Sequence, residues 1–251
     1  MPYEIKKKQF EDAVEGFQRA TEGKWGEGEL KNNIKLTSLN YKVIFFINEI
    51  ERKLLEIKEE HKKYSDYLKS SGKTDMQNLQ NIFTENGETT EATRLQLLTL
   101  VDLPSLLFGY YIVCRVFLDC LNNIIARKFF NNIQLSYSKL WEEENFERLC
   151  KRFCPKKELD LEGLKSIYEI AHKIDQEVVD VRDSLVHDYP SDSLFLSPNH
   201  EIKIKLKNHK TKEEFSADVF ATIRDNNKMF IDLLGLLTNE INKLRDAEKI
   251  S

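Results

Sequence analysis

Between Leu106 and Ile124 the chain keeps helical spacing while leaving almost no polar side. Leu106, Tyr110, Val113, Phe117, Leu121 and Ile124 recur at steps of three and four, and Leu107, Phe108, Tyr111 and Val116 fill other directions. A helix apolar nearly all round must be wrapped by other helices or by a subunit partner, because a single stripe of contact would leave its other sides in water. The rest of the chain is built to do the wrapping. With 9 Gly and 5 Pro in 251 residues, turn-rich β structure is disfavoured. The spacing therefore predicts an all-α protein, an antiparallel helical bundle around this segment. Arg115 and Asp119 interrupt the run four residues apart, either as an intrahelical ion pair or as part of a site.

The other helices are legible from the same period. Phe10, Val14 and Phe17 mark a short amphipathic helix within residues 1–20. The glycine-rich turn Gly23-Lys24-Trp25-Gly26-Glu27-Gly28 lacks the Gly-Lys-Ser/Thr ending of a phosphate-binding loop and reads as a plain connection. From about Leu36 to Leu68 a long helix presents Leu36, Leu39, Val43, Phe46, Ile47, Ile50, Leu54 and Ile57 on one face. The polar stretch Ser70 to Thr93 is the best candidate boundary. A shorter helix spans Trp141 to Phe153 and ends at Pro155.

Beyond residue 190 the period changes from 3.6 to 2. Leu194-Phe195-Leu196 and the alternation Ile202, Ile204, Leu206 against Lys203, Lys205, Lys207 predict a short β-hairpin with one apolar and one lysine face. The lysines either blunt an exposed edge or contact phosphate. Thr211-x-x-Glu214 reads as a capping box opening a last long helix, with Phe215, Val219, Ile223, Phe230, Leu234, Leu237, Ile241 and Leu244 on its apolar face.

The chemistry-bearing stretch is Val181-Arg182-Asp183-Ser184-Leu185-Val186-His187-Asp188-Tyr189-Pro190. It closes an amphipathic helix beginning near Asp160, with Ile167, Ile170, Ile174, Val178, Val181 and Leu185 as its apolar stripe. Pro190 ends it by biasing Tyr189 away from helical angles. Asp183 and His187, four apart, share a face outside the core, and Arg182 lies on the flank of the stripe.

This set resembles the R-x4-6-H motif of the HEPN superfamily, all-helical proteins many of which are endoribonucleases. Asp183 matches the polar residue that usually follows the Arg, and Arg182-x4-His187-x-Tyr189 is similar to the R-x4-H-x-Y form of HEPN toxins paired with a nucleotidyltransferase antitoxin. The resemblance covers 96–251 as a HEPN-like domain and leaves residues 1–95 as an N-terminal helical extension to which the family assigns no role. It implies metal-independent RNA cleavage with no cofactor. In it, His187 moves a proton, Arg182 neutralises charge on the phosphorane oxygens and Asp183 orients one of them. Tyr189 would contact phosphate or stack on a base, with Lys203, Lys205 and Lys207 as further RNA contacts. It also implies a homodimer whose two motif helices line one cleft, and an antitoxin or defence-system partner. A HEPN-like bundle that dimerises or binds RNA without cleaving it is the reading from another class.

Other chemistries have less to stand on. His187-Asp188 is also the dipeptide of HD-type metal phosphohydrolases, with His172 as an upstream ligand, but a further His and a distant Asp are not identifiable. Cys150-x3-Cys154 has no second pair for zinc, and Ser184 lacks a nucleophile elbow. A net charge of −4 does not advertise nucleic-acid binding, so any RNA contact must use local basic patches. Four Cys beside or within helices, with no secretory signal, suggest reduced thiols and a cytoplasmic protein. The apolar run Leu103 to Cys114 is too short to span a bilayer, so no membrane association is expected.

Overall fold

The computed structural model describes residues 7–21, 27–70, 94–95, 97–129, 136–153, 161–187, 194–196, 202–207 and 214–250. The fold is all-α with a small antiparallel sheet before the last helix. In chain order the elements are α1 (Lys7–Thr21), α2 (Glu27–Ser70), a π-helical turn (Leu98–Asp102), α3 (Leu103–Phe129), α4 (Tyr137–Leu140), α5 (Glu143–Phe153) and α6 (Leu161–Ile174). A second π-helical turn (Asp175–Val179), α7 (Asp180–His187), β1 (Leu194–Leu196), β2 (Ile202–Lys207), β3 (Glu214–Asp218) and α8 (Val219–Ile250) complete it. The boundary expected over 70–93 lies almost wholly outside the described residues, as do Pro155, Asp160 and Pro190.

Along α2 burial recurs every seven residues, at Leu36, Val43, Ile50, Ile57 and Tyr64, with Asn40, Ile47 and Leu54 between. A seven-residue repeat on a 3.6-residue helix is the pattern of left-handed supercoiled packing. The helix is longer than the sequence period suggests, starting at Glu27 and taking in Gly28.

The chain forms two compact units. One gathers Met1–Val43, Val113–Val179 and Arg224–Ser251. Its centre is an aromatic trio in which the Phe10 ring lies 5.6 Å from Phe117 and 6.1 Å from Phe230, and Phe117 lies 5.8 Å from Phe230. Gly163, in the first turn of α6, admits the buried carboxylate of Glu240, whose Cδ would stand 2.8 Å from an added Cβ. A carboxylate so close to a helix N-terminus complements the helix dipole. The Arg115–Asp119 pair does form within α3, at 3.2 Å.

The other unit gathers Ile44–Ile112 and Asp180–Ile223. Here α2 runs antiparallel to the chain leading into α3, pinned at three levels. Phe46 packs on Gly109, Lys53 Nζ reaches Asp102 Oδ2 at 2.6 Å, and Arg94 Nη2 reaches Glu56 Oε1 at 3.1 Å. Burial, the largest influence on the Glu56 carboxyl, would raise it, but Arg94 and Lys53 together hold it below the ordinary carboxylate range.

Two expectations need correction. The expected hairpin forms, with β1 antiparallel to β2, and a third strand joins it in the order β1-β2-β3, all neighbours antiparallel. Glu214 begins β3 rather than the last helix: Phe215 and Ala217 stand opposite Leu206 and Ile204 in the ladder. The N-cap of α8 is instead Asp218, whose Oδ1 accepts from Ala221 N at 2.6 Å. The motif helix is also not one uniform α-helix: the π-helical turn at Asp175–Val179 separates α6 from α7.

The helical stretch Leu98–Ala126 is 29 residues long and apolar enough, by length and composition, to cross a membrane. The shortness of the Leu103–Cys114 run is therefore no measure of the helix that contains it.

Candidate functional site

The residues singled out on the motif helix belong to α7 and the segment after it. Val181 and Leu185 are buried, as the apolar stripe requires, and Arg182 and Asp183 are half-buried beside them. Arg182 Nη1 donates to Asp183 Oδ1 at 2.5 Å. One edge of the guanidinium fork is thus held by its neighbour in sequence. Nε of the same group is shielded from solvent and has no hydrogen-bond partner among the described residues. A buried donor left unmade costs about 1–3 kcal/mol, which makes it an unusual feature on a helix flank. His187 is the last residue of α7, one turn beyond Asp183. The His187 side chain and Tyr189 lie outside the described residues.

The sheet brings the lysine strand to the motif helix, because α7 packs against β2. Ile202 and Ile204 are buried, Lys203 is half-buried and Lys205 exposed, while Lys207 is described by its backbone alone. The third strand, which sequence reasoning missed, changes the electrostatics of this face. Lys203 stands opposite Asp218 across the ladder, Lys205 opposite Ser216 and Lys207 opposite Glu214. Directly opposite residues share a face, so two of the three lysines have an acidic neighbour across the strand.

A second polar cluster surrounds the π-helical turn in the other unit. Ser138 Oγ donates to the buried Asp175 Oδ1 at 2.6 Å, and Tyr137 OH donates to the Ala171 carbonyl at 3.2 Å. Burial, then the Asp175 carboxylate, keeps the Tyr137 phenol protonated well above its ordinary range. Rings run outward from there: Tyr137 to Trp141 at 6.1 Å, Trp141 to Phe146 at 5.5 Å, Phe146 to Tyr168 at 5.0 Å and Tyr168 to His172 at 5.6 Å. His172 Nε2 lies 3.1 Å from Gln176 Nε2. Its ring is therefore engaged by Tyr168 and Gln176, and no group of three His, Cys, Asp or Glu able to hold a metal ion occurs among the described residues. The sequence signal that could have found this cluster is Asp175 itself, four residues after Ala171 on the buried side of an otherwise apolar stripe.

Cys114 and Cys120 are free and buried, and burial pushes the Cys120 thiol up. The Cys150 side chain, Cys154 and the Ser184 side chain lie outside the described residues.

Comparison of the chain with protein-family models, with curated proteins and with solved structures gives no match.

Proposed function

We propose that the chain is a metal-independent endoribonuclease of HEPN type, working in the cytoplasm as a toxin or antiviral-defence effector. The observation that carries the reading is Arg182: a guanidinium held on one side by Asp183, with an unsatisfied Nε on the other. Nε itself is shielded from solvent, but the side chain is 33% exposed, and the remaining N–H groups of a guanidinium held in place by Asp183 are pre-organised to take a phosphoryl oxygen. In the reaction the ribose 2′-oxygen loses its proton and attacks the adjacent phosphorus, while the 5′-oxygen leaves and gains a proton. The products are a 2′,3′-cyclic phosphate and a free 5′-hydroxyl. His187 moves a proton in this exchange, and such a group typically contributes about 10²–10⁴ in rate. Arg182 stabilises the charge on the non-bridging oxygens, where one donor is worth about 2.7–4 kcal/mol. Asp183 positions Arg182. Tyr189, Lys203, Lys205 and Lys207 contact the RNA, two copies of the chain bring their motif helices to one cleft, and an antitoxin or defence-system protein is the further partner.

The test is the end chemistry of a mixed RNA substrate incubated with the protein and a chelator. Cyclic-phosphate 3′ ends support the enzyme; intact RNA rejects it. A non-catalytic dimerisation module is the second reading. The acidic residues Glu214 and Asp218 opposite Lys207 and Lys203 favour it, because they lower the positive charge that the lysine face offers to phosphate.

A further inference from the structure

We draw no further inference here: the strongest candidate, the exposed apolar face of α2 that carries Ile34, Tyr41, Phe45 and Leu55, carries nothing, because nothing in the structure shows what covers it.

Discussion

Gly109→Ala should destabilise the protein although it improves helix propensity. At this position an added Cβ would lie 2.5 Å from Phe46 Cζ and nearer still to Cε1. Ordinary carbon contacts sit at about 3.5–4.0 Å, so the ring must move by roughly 1 Å. Phe46 is not a free side chain end: its ring meets Phe45 edge-on, with centroids 5.5 Å apart and planes at 75°. Overpacking of this kind costs about 1–3 kcal/mol, against a propensity gain of about 0.8–1.0 kcal/mol for replacing Gly within a helix. Gly235→Ala supplies the control, since Gly235 also lies within a helix but its Cβ would meet nothing within 4 Å. The propensity gain is common to both variants, so their difference isolates the contact at about 1–3 kcal/mol. Urea melts at constant m-value measure it. Phe46→Leu combined with Gly109→Ala should recover part of the loss, which a double-mutant cycle reports as coupling. If Gly109→Ala is as stabilising as Gly235→Ala, the close approach of α2 and α3 does not exist as described.

Other perturbations probe separate parts of the structure. Asp218→Ala should cost about 1 kcal/mol and Asp218→Asn only a few tenths, if Asp218 rather than Thr211 caps α8; equal melting temperatures for parent and Asp218→Ala would restore the capping box. The depressed Glu56 carboxyl contributes stability that is present above its ordinary pKa of about 4.5 and lost as pH falls through its folded value. Glu56→Gln should therefore lose less stability than the parent as pH falls from neutral into that range, and parallel pH–stability curves would contradict this. Lys203→Glu with Lys205→Glu should weaken RNA binding and flatten its salt dependence, as read by fluorescence anisotropy across a salt series. Unaltered binding would make these lysines edge protection.

Hydrophobic period carries most of the helical architecture in the sequence. The faces of α2 and α8 can be read directly, because burial on a helix leaves a three-and-four spacing that other forces rarely erase, whereas on α3 the buried line runs through Leu103, Leu107, Tyr110, Cys114, Phe117 and Leu121 rather than Leu106 and Val113, and Phe108 is 41% exposed. Two features resist that reading for definite reasons. The π-helical turn at Asp175–Val179 inserts within an intact apolar stripe, and Val178 and Val181 keep their spacing on either side of it. Strand β3 is only five residues, and Thr211-x-x-Glu214 satisfies the letter of a helix start; its pairing with β2 is a long-range fact. At the candidate site, the positions of Val181, Leu185 and Arg182 follow from helical geometry. The missing partner of Arg182 Nε does not, since satisfaction of a donor depends on what the tertiary fold brings near it.

The most direct measurement of the central claim compares RNA cleavage with melting temperature across four variants. Arg182→Ala and His187→Ala should each abolish formation of cyclic-phosphate ends while melting close to the parent, because neither occupies the centre of the apolar stripe. Asp183→Asn should retain part of the activity, since an amide can still accept from Arg182. Leu185→Ala, at a side chain only 6% exposed, should lose about 2–5 kcal/mol of stability. Variants of Arg182 and His187 that fold and cleave RNA like the parent would contradict the assignment, and variants that melt as early as Leu185→Ala would make the motif structural.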